Sequence, residues 1–149
     1  MRDLYFAGSI WCNVDIALRS VETVYRKEID PLGVSIVEWY MLRALYEHDG
    51  MMAGQLARAV GRQITSFTPI LDKLEQKGLA KRQQHPTDRR GVKIHLTAQG
   101  KALEAQIIAS AERIEELLRK RIADEEWHGY KNVVENFQVL TPSEIEIFT

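Results

Sequence analysis

The hydropathy period of this chain changes only once. Apolar residues recur at three- and four-residue steps along most of its length, but in residues 92–96 Val92, Ile94 and Leu96 alternate with Lys93 and His95. A period of two marks a half-buried strand, and helical spacing cannot serve that segment. Residues 79–83 are its expected partner, and His85-Pro86-Thr87-Asp88 supplies the turn chemistry between them. The chain is therefore expected to be mainly α with a single antiparallel β-hairpin.

Helix punctuation divides the rest. A first helix spans about residues 9–28 and stops at Asp30-Pro31-Leu32-Gly33, where proline and glycine together break it. Ser35-Ile36-Val37-Glu38 has the form of a capping box and opens a second helix. That helix should bury Trp39, Leu42, Leu45 and Tyr46 and end at His48-Asp49-Gly50. A short third helix is expected over residues 52–60, with Leu56, Ala57 and Val60 inward, and a fourth over residues 64–77, closed by Gly78. Thr97 caps a long helix whose stripe Leu103, Ile107, Ala111, Ile114, Leu118 and Ile122 recurs at helical steps. A last helix places Trp127, Tyr130, Val134 and Phe137 on one side.

At 149 residues, 45% hydrophobic and 28% charged, the chain is one domain's worth of sequence, and neither disordered nor fibrous. A core this small cannot cover the long stripe together with the apolar faces of the first and last helices. A second copy of the chain would bury them across a two-fold axis. No stretch is apolar enough to span a bilayer, and the apolar residues 4–12 lie between Asp3 and Asp15, unlike a secretory signal. A cytoplasmic protein with no membrane partner is expected. The single cysteine, Cys12, excludes an internal disulfide.

The net charge of −1 hides an uneven distribution. Residues 55–93 hold nine basic and three acidic side chains, a block of +6, which leaves −7 for the remainder. A basic block in an acidic frame points to an anionic partner at that place. The same block contains two short helices joined by Gly61-Arg62-Gln63, followed by the basic hairpin. Together they form the pattern of a winged helix-turn-helix, in which the second helix enters the major groove of DNA. Thr65, Ser66 and Thr68 lie on the first turns of that reading helix, Arg62 and Gln63 beside them, and Phe67, Ile70, Leu71 and Leu74 on its core side.

These residues resemble the MarR-type (multiple antibiotic resistance regulator) transcription factors. Leu56-Ala57 through Leu74 is similar to that family's helix-turn-helix, and Asp72-Lys73-Leu74-Glu75-Gln76-Lys77-Gly78-Leu79 to its exit into the wing. Pro86-Thr87-Asp88-Arg89-Arg90 and Leu96-Thr97-Ala98-Gln99-Gly100 resemble its wing signature and the opening of its dimerisation helix. The resemblance implies a winged helix-turn-helix over residues 34–97 within one chain unit, flanked by dimerisation helices at 8–30 and 98–140. It also implies a homodimer on a pseudo-palindromic operator, with half-sites roughly 34–36 Å apart. Arg90 would enter the minor groove, supported by Asp88 through a charge-assisted hydrogen bond. Arg89, Arg82, Lys81 and Lys93 would contact phosphates. Pro69 departs from the family pattern, standing where a polar or basic reader is usual; its ring could touch a thymine methyl group. Arg62 is a second departure, and suits a phosphate.

Many members of the family act as repressors and release DNA on binding a small aromatic anion such as a phenolic carboxylate. Trp11, Tyr25, Trp39, Tyr40 and Arg43 are the residues that could line such a pocket, an arginine among aromatics being suited to a carboxylate. Two alternatives are a redox sensor acting through Cys12 and a winged helix that binds protein rather than DNA. The four histidines show no i, i+3 or i, i+4 pairing, so no metal or other cofactor is expected. Nucleophile elbows, phosphate loops and His-Glu-x-x-His runs are lacking too, so the chain does not read as an enzyme.

Overall fold

A computed structural model describes residues 4–84 and 91–140. In chain order the elements are α1 (Ile10–Ile29), α2 (Ile36–Glu47), β1 (Met51–Met52), α3 (Ala53–Ala59), α4 (Ile64–Gln76), β2 (Ala80–Gln84), β3 (Val92–Leu96), α5 (Ala98–Ala102), α6 (Glu104–Arg119) and α7 (Asp124–Gln138). They divide into two compact units, the first ending at Ile114 and the second beginning at Glu115.

In the first unit, Trp39, Met41, Leu42 and Leu45 of α2, Leu56 and Ala57 of α3, and Phe67, Leu71 and Leu74 of α4 form the core. Ile94 and Leu96 close it from the sheet, and Ile107 and Ile114 from α6. Ser35 caps α2 as its sequence requires: its Oγ accepts from the Glu38 N–H at 3.3 Å, and the Glu38 carboxylate accepts from the Ser35 N–H at 2.6 Å. Glu38 is only 1% exposed, and Lys77 Nζ at 2.6 Å satisfies its charge while also donating to the Gly33 carbonyl at 2.9 Å. One ion pair thus ties the start of α2 to the residue that closes α4.

The sheet has three strands, in the order β1-β3-β2, all antiparallel. Residues 51 and 52 form a strand, where Met52 was expected to open the third helix; that helix starts at Ala53 and ends at Ala59. Two residues are too few to display a period, and Met51 and Met52 pair with Ile94 and Lys93 because β3 offers a free edge. The wing register matches Ala80 with Leu96 and Gln84 with Val92.

The long helix expected after Thr97 is interrupted. Leu103 separates α5 from α6, α6 ends at Arg119, and Ile122 lies outside it. The start of α5 explains the Leu-Thr-x-x-Gly spacing. Thr97 Oγ1 accepts from the Gly100 N–H at 3.0 Å and donates to the Gly78 carbonyl at 2.5 Å. A Cβ on Gly100 would lie 2.0 Å from the Leu79 carbonyl oxygen, so glycine is required there. Tyr46 completes the joint by donating its hydroxyl to the Gly100 carbonyl at 2.8 Å. Burial, followed by the Glu104 carboxylate, pushes that phenol up to about 12.

The second unit holds the end of α6 and α7. Trp127 stacks on Tyr130 at 5.2 Å, and the Arg119 guanidinium lies 4.5 Å from the Trp127 ring. No residue of α7 is buried.

Candidate nucleic-acid interface

The helix pair α3 and α4 turns at Gly61, whose positive φ of 64° glycine accommodates without strain. The Arg62 N–H donates to the Ala57 carbonyl at 2.9 Å and Gln63 stands at the N-cap of α4. Phe67, Leu71 and Leu74 are buried, and Ile70 is half-buried. Arg62, Gln63, Thr65, Ser66, Thr68 and Pro69 are all exposed, so the structure gathers these six on and beside the outer face of the first turns.

The hydroxyls on this face are engaged locally. Ser66 Oγ donates to the Gln63 carbonyl at 3.0 Å, and Thr68 Oγ1 donates to the Ile64 carbonyl at 3.2 Å. Pro69 lies within α4 rather than in its first turn, because the helix begins at Ile64. The Thr65 carbonyl consequently has no N–H at position 69 to receive, yet the helix continues to Gln76.

On the hairpin, Arg82 does not stand as a free cation. Its guanidinium pairs with Asp72 at 2.7 Å and with Glu75, and its backbone N–H donates to Glu75 Oε1 at 2.7 Å. The guanidinium expected at a phosphate is thus shared between two carboxylates, joining the wing strand β2 to α4. The signal was present in sequence as acidic residues on the exit of α4, but a pairing across seven residues and two elements has no period to announce it. Among the described residues, Arg58, Arg62, Lys73, Lys81 and Lys93 make no ion pair and remain available to an anion. Asp88, Arg89 and Arg90, the expected wing-tip residues, lie outside the described residues.

The residues expected to form an effector pocket are only partly together. Tyr25 meets Trp39 edge-on at 5.8 Å and Tyr40 at 6.3 Å, and the Arg43 guanidinium lies 4.8 Å from the Trp39 ring. Trp39 is a core residue whose Nε1–H donates to Ser110 Oγ at 2.9 Å, and the Ser110 hydroxyl donates in turn to the Ile107 carbonyl at 2.7 Å. Trp11 is not part of this group. It is 77% exposed and lies about 21 Å from Tyr25 along α1, at about 1.5 Å per residue. Cys12 is half-buried on the same helix. No described helix is long and apolar enough to cross a membrane.

Two helices joined by a tight turn, the second with a polar outer face, and a wing of β2 and β3 after them define a winged helix-turn-helix protein. Residues 34–92 match the MarR family model, so this part of the chain is a MarR-type winged helix. The organic hydroperoxide resistance transcriptional regulator of Bacillus subtilis (strain 168) is 27% identical over 90 residues, 60% of this chain and 61% of that protein. The chain thus spans about three-fifths of that relative's length. A MarR transcriptional regulator from Methanosarcina mazei Go1 superimposes with a TM-score of 0.71 at 25% identity, covering 86% of this chain and 92% of that one. A single-site mutant of MarR from E. coli, complexed with operator DNA, gives a TM-score of 0.75 at 19% identity over 83% of this chain and 89% of that one.

Proposed function

We propose that this protein is a sequence-specific, double-stranded-DNA-binding transcriptional regulator, a repressor by family habit, acting as a homodimer on a pseudo-palindromic operator. The observation that carries the reading is the exposed face of α4 bordered by the unpaired Arg62 and Lys73, with Lys81 and Lys93 on the adjoining wing strands. Short polar side chains at the tip of a slim helix suit the major groove, and cations on either side suit the phosphates. The E. coli MarR mutant complexed with operator DNA, similar in fold, supports DNA as the partner.

Dimerisation is supported by the apolar surface left at the chain's two ends. Leu4, Tyr5, Phe6, Ile10 and Trp11 are exposed at one, and Tyr130, Val133, Phe137, Val139 and Leu140 at the other. A second copy of the chain is a partner that suits each of these surfaces. Release by a small aromatic anion falls to Tyr40, 38% exposed, and Arg43, since Trp39 is already occupied in the core.

Fluorescence anisotropy of the full chain with a duplex from the gene's own upstream region, against a scrambled duplex over a salt series, tests the reading. The expected outcome is preference for the native duplex, with affinity falling steeply as salt rises. Equal, salt-insensitive binding of both duplexes would overturn it. Adding a phenolic carboxylate to the bound complex reads the release step, and a mass measurement in solution reads the dimer.

A further inference from the structure

We propose that α4 selects A·T base pairs, with Ile64 and Pro69 lying against thymine methyl groups while Ser66 and Thr68 accept from adenine amino groups. The inference deepens the DNA-binding reading and rests on it. Residues 64–72 contain no Arg or Lys, so the reading turns lack the side chains that pair bidentately with guanine O6 and N7. Those two guanine atoms are acceptors and need donors. Ser66 and Thr68 have committed their hydroxyl hydrogens to the carbonyls of Gln63 and Ile64, which leaves them oxygen lone pairs to offer. In the major groove such oxygens meet the amino groups of adenine or cytosine.

The choice between those two bases falls to the apolar side chains. Ile64 is 49% exposed at the start of α4, although every other large aliphatic residue of the helix is buried or half-buried. Pro69 is exposed five residues further on and offers a ring with no donor. Only the A·T pair carries a methyl group in the major groove, beside the adenine amino group, so one base pair satisfies both kinds of side chain. Gln63, exposed at the N-cap, is itself a bidentate partner for adenine.

Selection from a random duplex library with the full chain, followed by sequencing of the enriched pool, tests the proposal. Anisotropy on enriched duplexes then replaces each thymine in turn by deoxyuridine, which removes the methyl group alone. The expected result is A·T pairs at the centre of each half-site, with at least one deoxyuridine position weakening the parent about fourfold, the worth of one covered methyl. In Pro69→Ser binding weakens about fourfold, and the methyl sensitivity disappears at the position that Pro69 covers. Half-sites centred on G·C pairs would overturn the proposal and leave DNA binding standing, as would equal deoxyuridine effects in the parent and Pro69→Ser. Failure to enrich any duplex at any salt would overturn the DNA-binding reading itself, and this proposal with it.

Discussion

The winged domain and the chain's terminal helices spend their apolar residues in opposite ways. Within the first unit, α4 places Phe67, Leu71 and Leu74 wholly inside and keeps a mostly polar face outward. α7 has a comparable apolar stripe, yet buries no residue, and Tyr130, Val133 and Phe137 remain exposed. The same helical periodicity thus yields a closed core in one region and an open face in the other. A helix pattern states that a face will be covered, but not by what. The winged domain supplies its own cover, whereas α7 leaves a face suited to the dimer interface proposed above.

The sharpest way to break this comparison is a pair of aromatic truncations. Phe67→Ala should lower stability by about 3–5 kcal/mol through an internal cavity, read as a shift in the urea midpoint. Phe137→Ala should leave the winged domain's own midpoint nearly unchanged at low protein concentration and raise the dimer dissociation constant measured by sedimentation. Comparable losses in an isolated monomer would erase the distinction.

Gly100→Ala should come next, at about 3 kcal/mol, because the new methyl meets a backbone oxygen that no rotamer change can move aside. Thermal unfolding would show it, and a near-unchanged midpoint would mean that Leu79 and Gly100 are not held together as described. Lys77→Met leaves the Glu38 carboxylate buried with only the Ser35 N–H, and should cost about 2 kcal/mol, moderated because Lys77 is 38% exposed.

Arg82 offers a test in which sign matters more than size. If it joins β2 to α4, then Arg82→Met and the double variant Asp72→Asn with Glu75→Gln should each weaken operator binding by a few-fold. A direct phosphate contact predicts the reverse for the second protein, since losing two carboxylates would free the arginine and add affinity.

The smallest effect concerns alkaline pH. Tyr46 in the folded protein holds its proton up to about 12, against an ordinary value of 10.0. The contribution is complete below pH 10, before the unfolded chain begins to lose that proton, and disappears as pH rises towards 12. Tyr46→Phe should therefore lose less stability between pH 9 and pH 11 than the parent, as chemical denaturation at the two pH values would show.

The helices were legible wherever local chemistry decided them. Ser35 and Glu38 form the capping box that their spacing announces, and Gly61 and Gly78 take positive φ where a helix must stop. Leu96-Thr97 with Gly100 likewise marked the joint after the wing, since Thr97 caps a helix within four residues of itself. Events without a local period stayed hidden. β1 is two residues long and exists only because β3 has an edge to offer it. The break at Leu103 falls on the first residue of a stripe whose spacing runs on towards Ile122 without marking it.

The candidate interface divides in the same way. Sequence alone placed Arg62, Gln63, Thr65, Ser66, Thr68 and Pro69 on one helix start, because a 3.6-residue period fixes which side chains share a face. It also gathered the positive block, since charge is counted residue by residue. Tertiary structure alone decided which charges remain free: Arg82 meets Asp72 and Glu75 only when β2 folds back along α4. It likewise parted Trp11 from Tyr25, Trp39, Tyr40 and Arg43, which their place on the first two helices had grouped. Local hydrogen bonding and periodicity are written within a few residues, whereas pairing between elements depends on where the chain returns.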